Sequence, residues 1–426
     1  MSEKLTVNNF LVIKRASLDI KRLNIIIGPQ ANGKSLLAKL LHFFKKINID
    51  FIDGIRLKKS KLSFDKGILI NFEKRFPRYA WEGSSFFISY ELDEIVINIV
   101  GKRNSSGKTS LTINYSPILA NIFIQKKKIY AKYLAEAKAQ EKPGRQQVSH
   151  LESQVLFEHI IEPLRNDKYA QFFSNPIFIP ATRSFFANLQ KNIFTFLASN
   201  LDIDPYLKEF GSLYENSKRW YKDRFINQEN KELTFELYSA VEAIISGEYE
   251  YHDEQDWIVN KGRKINLANA SSGQQEALPM LLSLCVWPLL RANQPGNMCF
   301  IEEPEAHLFP TSQGKIISML STLYGRVGTN FFITTHSPYV ISAINNLILA
   351  ADKVKEGLLT DKAFKKLNGS GLPILFEEVS AYTIINGEAT SICDEDYRII
   401  GADMLDEISE HFESVMNAML VLESKK

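Results

Sequence analysis

Residues 28–35 read Gly28-Pro29-Gln30-Ala31-Asn32-Gly33-Lys34-Ser35 and fit the pattern G-x-x-x-x-G-K-[ST]. The flanks decide how this stretch is read. Before it, Leu23-Asn24-Ile25-Ile26-Ile27 is a short apolar, β-branched run that predicts a buried strand. After it, Leu36-Leu37-Ala38-Lys39-Leu40-Leu41-His42-Phe43-Phe44 predicts an apolar helix. Strand, glycine loop and helix in this order let backbone N–H groups wrap a phosphate at a helix N-terminus. Lys34 would then reach the β- and γ-phosphates of a nucleotide, and the Ser35 hydroxyl would bind Mg²⁺.

At 426 residues the chain can bury a large core, in two lobes or in one domain with insertions. Its 51 basic and 49 acidic residues leave a formal charge of +2. That balance neither demands nor excludes nucleic acid, because phosphate binding depends on local patches. Cys285, Cys299 and Cys393 are far apart, lack metal-ligand spacing, and read as reduced thiols. Met1-Ser2-Glu3-Lys4 lacks the start of a signal peptide, and no apolar run approaches the ~20 residues of a bilayer span. A cytoplasmic protein without a membrane partner is expected.

Working outward, Leu5–Ile20 alternates and predicts a hairpin leading into the phosphate-loop strand. Ile68–Tyr115 predicts more antiparallel sheet, with strands at Phe86–Tyr90, Ile95–Val100 and Leu111–Tyr115. A second Gly107-Lys108-Thr109 has its upstream glycine, Gly101, one residue too far away and sits among serines, so it reads as a turn. Pro117–Arg165 predicts an antiparallel helical hairpin broken at Pro143-Gly144, its first arm about 35 Å long at ~1.5 Å per residue. Lys126-Lys127-Lys128 on that arm reads as a solvated face. Pro176–Pro180 predicts a short strand, Leu189–Ser246 a helical insertion burying its own aromatics, and Glu248–Leu267 a hairpin turning at Lys261-Gly262.

Three further stretches carry chemistry. Ala270-Ser271-Ser272-Gly273-Gln274-Gln275-Glu276 opens an apolar helix and offers either an N-cap or a second phosphate-sized nest. Met298-Cys299-Phe300-Ile301-Glu302-Glu303-Pro304-Glu305 describes a buried strand presenting carboxylates at its C-terminal end, where ligands sit in open parallel sheets. One carboxylate can hold Mg²⁺ through water, and the next can polarise an attacking water. Phe331-Phe332-Ile333-Thr334-Thr335-His336-Ser337-Pro338 is another apolar strand ending in polar groups, with a histidine that can sense a γ-phosphate.

Taken in order, GPQANGKS, SSGQQE, IEEPEAHLFP and TTHSPYV resemble the ATP-binding-cassette ATPases of the SMC and RecF type, most closely the OLD-like branch. The resemblance covers residues 1–40 and 264–345 well and the middle poorly. It implies that Gly28, Pro29, Gln30, Ala31, Asn32, Gly33, Lys34 and Ser35 form the Walker A loop. It also implies that Ser271, Gly273 and Gln274 belong to a signature loop, which in this family contacts the γ-phosphate bound by a second subunit. Glu302 would take the Mg²⁺-assisting place, Glu303 the catalytic place, Glu305 to His307 the following loop, and His336 the place of the switch histidine. Ser272 stands where many relatives have glycine, Glu302 replaces the commoner Asp, and no glutamine is assigned to the Q-loop. Arg183, in IPATRS, resembles an arginine that recurs after a strand in this branch, which opens a nucleotide-facing role for it.

OLD nucleases carry a C-terminal TOPRIM domain, but no D-x-D closes a strand here; Asp394 and Asp396 in CDEDYRII lead into a helix-like segment. Residues 376–419 are therefore expected to form a small hairpin plus helix capping the ATPase. The resemblance here is to stand-alone ATPases of bacterial anti-phage systems such as Septu and PARIS, where a separate nuclease subunit cuts. The expected fold is an α/β ABC-type ATPase head: a mixed sheet with a phosphate-loop core and an antiparallel lobe, a short antiparallel helical stalk and a helical insertion. The divisions are 1–116 (first part of the head), 117–165 (stalk), 166–246 (strand and insertion), 247–345 (second part of the head) and 346–426 (cap). The implied cofactors are ATP and Mg²⁺. The implied partners are at least a second copy of the chain and a separate effector, of nuclease type, with DNA or a phage protein as further candidates. The alternative is a RecF-like repair or recombination ATPase acting directly on DNA; a non-hydrolysing scaffold is disfavoured because it would need neither Glu303 nor His336.

Overall fold

Alternating buried and exposed side chains run through Glu3–Phe10 (β1) and Ile13–Asp19 (β2), which pair antiparallel as the expected hairpin. The computed structural model describes residues 2–140, 148–189, 203–221, 230–292, 294–367 and 370–401. The phosphate-loop strand is Leu23–Ile27 (β3), and the antiparallel wing continues with Phe86–Leu92 (β4), Ile95–Arg103 (β5) and Thr109–Tyr115 (β6). The expected turn falls between β5 and β6, where the Asn104 N–H donates to the Lys108 carbonyl at 2.8 Å.

The remaining sheet strands are Ile177–Ile179 (β7), Met298–Glu302 (β11), Asn330–Thr335 (β12), Val379–Ile385 (β13) and Glu388–Ser391 (β14). Among the described residues eleven strands form one mixed sheet in the order β6-β5-β4-β1-β2-β14-β13-β3-β12-β11-β7. Five of them, β13, β3, β12, β11 and β7, run parallel. A separate meander of Glu248–His252 (β8), Gln255–Asn260 (β9) and Arg263–Asn266 (β10) extends the expected hairpin by one strand.

The parallel strands are buried at nearly every position yet still alternate between two cores. Leu23, Ile25 and Ile27 of β3, Cys299 and Ile301 of β11, and Phe331 and Ile333 of β12 enter one core. Ile26, Met298, Phe300 and Phe332 enter the other. Helix Lys34–Arg56 packs on the second face, and helices Ser272–Leu290, Pro310–Val327 and Pro338–Lys355 on the first. Helices on both faces are what a parallel sheet needs to bury its pleats. The pairings Ile301↔Ile179, Glu302↔Thr334 and Thr335↔Ile27 align the strand ends, so residues 28, 303, 336 and 181 emerge along one edge.

Two expectations are corrected. Sheet does not begin at Ile68: Lys61–Arg75 is a helix, N-capped by Ser60, and Phe64, Ile68 and Phe72 face the core at four-residue spacing. The expected hairpin after residue 376 is present, with β13 antiparallel to β14, but it is not an added cap. Its strand β13 lies inside the sheet, parallel to and directly beside β3, with Val379 and Ala381 in one core and Ile384 in the other. The helix expected up to residue 419 and the break at Pro143-Gly144 lie outside the described residues. The helical hairpin appears as Pro117–Gln140 and Val148–Leu156. Among the described residues no helix is long and apolar enough to cross a membrane.

Candidate functional site

The loop after β3 turns on residues with left-handed backbone: Gly28 (φ 147), Ala31 (φ 62) and Gly33 (φ 97). Such turns aim successive N–H groups into one concavity at the start of helix Lys34–Arg56. β13 supports the loop from the side, through a hydrogen bond from Asn32 Nδ2 to the Ile384 carbonyl at 3.2 Å. The Lys34 ammonium donates to the carbonyls of Gly28 and Pro29, both at 2.7 Å, and lies 3.3 Å from His336 Nδ1. Burial lowers its pKa to about 8, with Glu303 and Glu305 pulling the other way.

Glu302 ends β11 with only 5% of its surface exposed. Its Oε2 accepts from the Ala181 N–H at 3.1 Å, and its carboxylate also meets the Ser35 hydroxyl. Among the described residues Oε1 is buried without a hydrogen-bond partner, and burial raises the pKa of the group. An unpartnered buried carboxylate oxygen beside a hydroxyl, at the mouth of a phosphate loop, fits a hard cation completed by phosphate oxygens and water. Ser35 and Glu302 would hold Mg²⁺ here.

Glu303 takes φ 44, and its N–H donates to the Thr334 carbonyl at 2.8 Å. That twist carries its carboxylate out of the strand path toward β12, where Oε1 lies 3.2 Å from His336 Nε2. Glu305 fixes the other side of the histidine: its Oε1 accepts from the His336 N–H at 2.8 Å and from Thr335 Oγ1 at 2.6 Å. Lys34, Ser35, Glu302, Glu303 and His336 therefore share one site.

Ser271, Gly273 and Gln274 stand as a second group. Ser271 and Gln274 form a reciprocal capping box at the start of helix Ser272–Leu290. Gln274 Nε2 also donates to the Ile245 carbonyl at 2.7 Å. Gly273 lies against the loop after β11, where a Cβ would come within 2.7 Å of the His307 carbonyl oxygen. Ser271 itself is exposed.

The position of Arg183 does not support the nucleotide-facing role that the resemblance opened for it. It is fully buried and bonded to main-chain carbonyls under the acidic loop, including that of Glu303 at 2.9 Å. Glu276, which sequence reading did not single out, is also buried and receives the Arg183 and Ser184 N–H groups. That it is the one charged residue of helix Ser272–Leu290 was the available signal for it.

Residues 179–341 match the family described as an AAA ATPase domain. The match takes in the helix after Ser271, the acidic strand end and His336, and begins after the phosphate loop. No curated protein matches the chain. Among solved structures, the SMC head domain from Thermotoga maritima is 12% identical, with 92% of this chain and 98% of that chain covered and a TM-score of 0.35. A Pyrococcus furiosus Smc head domain with an extended coiled coil, bound to the C-terminal domain of ScpA, is also 12% identical, with coverages of 96% and 99% and a TM-score of 0.35.

Proposed function

We propose that this chain is a cytoplasmic, Mg²⁺-dependent ATPase that assembles head to head on ATP and acts as a sensor and switch for a separate effector subunit, of nuclease type, in anti-phage defence. What supports the chemistry is the hydrogen-bonded run from Lys34 through His336 to Glu303, beside the unpartnered oxygen of Glu302. The AAA ATPase domain match over residues 179–341 supports it as well.

When bound, ATP supplies the phosphoanhydride to be cleaved and Mg²⁺ neutralises its charge. Lys34 and the N–H groups of residues 28–35 bind the phosphates. Glu303 orients a water and takes its proton, and His336 holds Glu303 and reads the terminal phosphate. Ser271 and Gly273 belong to the other group of residues, and in this reading they complete the site of a second copy. Release of that assembly, in turn, sets the state of the effector.

The test is ATP turnover and oligomeric state of the purified chain, with and without duplex DNA, beside Lys34→Ala and Glu303→Gln. Lys34→Ala should lose turnover and assembly. Glu303→Gln should lose turnover about 10²-fold or more yet accumulate the ATP-bound dimer. Wild-type turnover in Glu303→Gln would refute the assignment of the base, and DNA-stimulated turnover would favour direct action on DNA.

A further inference from the structure

We propose that Arg183 and Glu276 are positioning residues that link the signature loop to the catalytic carboxylate Glu303 of the same subunit, an inference that rests on the ATPase reading above. Arg183 lies four residues beyond β7 and its side chain is 0% exposed. Four guanidinium donors go to four main-chain oxygens. Nε donates to Glu276 O at 2.9 Å, Nη1 to Pro180 O at 2.9 Å and to Glu302 O at 2.7 Å, and Nη2 to Glu303 O at 2.9 Å. A planar fork can satisfy such a set at once, whereas a lysine ammonium has three donors radiating from one point.

What the fork holds is itself unusual. Glu303 is a non-glycine residue at φ 44, a backbone state that persists only when its surroundings fix it. Its N–H is held by Thr334 from one side and its carbonyl by Arg183 from the other. The direction of the Glu303 side chain thus depends on Arg183.

Glu276 ties the same unit to the signature helix. Its Oε2 accepts from the Arg183 N–H at 2.9 Å, and its Oε1 accepts from Ser184 N–H at 3.1 Å and Ser184 Oγ at 2.6 Å. Glu276 sits five residues after Ser271, in helix Ser272–Leu290. A movement of that helix, when Ser271 and Gly273 meet the nucleotide of a second copy, is passed through two buried charged groups to the main chain of Glu303. The nucleotide bound by one subunit thereby sets the water-activating group of the other.

The experiment compares Arg183→Lys, alone and in a Glu303→Gln background, by equilibrium binding of a fluorescent ATP analogue and by single-turnover hydrolysis of labelled ATP. Arg183→Lys should bind nucleotide within about twofold of wild type and hydrolyse it about 10²-fold more slowly, the cost of a carboxylate misplaced by about 1 Å. In the Glu303→Gln background the same change should cost nothing further, because it acts through that carboxylate. Glu276→Gln keeps the backbone acceptor and loses one carboxylate oxygen, so it should give the same pattern at about tenfold; it carries the test if Arg183→Lys does not fold. Undiminished hydrolysis in both variants, or an equal loss with and without Glu303, would overturn the proposal and leave the ATPase reading standing. A wild type that does not hydrolyse ATP would overturn both.

Discussion

Lys34 Nζ lies 3.3 Å from His336 Nδ1, while the opposite nitrogen of that ring, Nε2, lies 3.2 Å from Glu303 Oε1. One assignment of protons satisfies both contacts. An ammonium has three donors, two of which go to Gly28 and Pro29, so the third points at Nδ1 and makes it an acceptor. Nε2 then carries the ring proton and donates it to the carboxylate. The histidine is thus a spacer that keeps the loop cation and the carboxylate from pairing directly.

Replacing His336 by Ala should remove that spacing. The expected result is turnover lower by about 10² with nucleotide affinity changed only a few-fold, since the phosphate loop stays intact. Steady-state kinetics and equilibrium binding measured together decide it. Wild-type turnover would show that Glu303 needs no help from the ring.

Gly33 and Gly314 make a contrasting pair. Gly33 has φ 97, and a Cβ there would come within 2.5 Å of Ile13 Cδ1 and 2.9 Å of Val12 Cγ2, at the tip of the β1–β2 hairpin. Gly33→Ala should cost about 1–3 kcal/mol and weaken nucleotide binding, because the loop must twist away from the hairpin. Gly314 lies within helix Pro310–Val327, and among the described residues nothing comes within 4 Å of the place of its missing Cβ. Gly314→Ala should stabilise by about 0.5–1 kcal/mol without touching ATP binding. Urea midpoints for the two variants should move in opposite directions.

The position of β13 gives a third expectation. A removable cap could be deleted at little cost, but Val379, Ala381 and Ile384 are each 0% exposed, and β13 holds the flank of β3. A chain stopped after Leu375 would bare that edge and lose the Asn32–Ile384 contact. It should be insoluble, or unable to bind nucleotide. A soluble truncated chain with full ATP affinity would contradict the placement.

These cases mark how far the sequence could be read. β3, β11 and β12 were legible because each is a continuous apolar run ended by polar residues, and their charged ends named Lys34, Ser35, Glu302, Glu303 and His336. β13 was legible as one arm of a hairpin, but its place in the sheet was not: nothing local to Val379–Ile385 says that its partner is Leu23–Ile27, hundreds of residues upstream. Lys61–Arg75 was misread because the consecutive Ile68-Leu69-Ile70 hides a four-residue period. Arg183 was noticed but given a nucleotide-facing role, and Glu276 was given none, for one reason: charged side chains are expected at the surface, and only the folded backbone supplies the carbonyls and N–H groups that satisfy them inside.

His42 carries the last prediction, on stability against pH. It is 1% exposed on helix Lys34–Arg56, ringed by Phe178, Tyr206 and Phe300 at centroid distances of 5.2, 5.5 and 5.3 Å. Burial first, then the nearby cations Lys46 and Arg75, hold its pKa well below the ordinary histidine value. The folded chain therefore binds fewer protons than the unfolded one, whose histidine titrates near pH ~6.5. Above that pH the group adds no pH dependence. As pH falls below it, protonation favours the unfolded chain, and stability drops by up to ~1.4 kcal/mol per unit until the folded pKa is reached. His42→Phe keeps an aromatic ring in the cluster and removes the titration. Between pH 7.5 and 5.5 the loss of stability in urea melts should be smaller in the variant than in the wild type by about 1 kcal/mol. Equal losses in the two proteins would mean that His42 takes up its proton without unfolding.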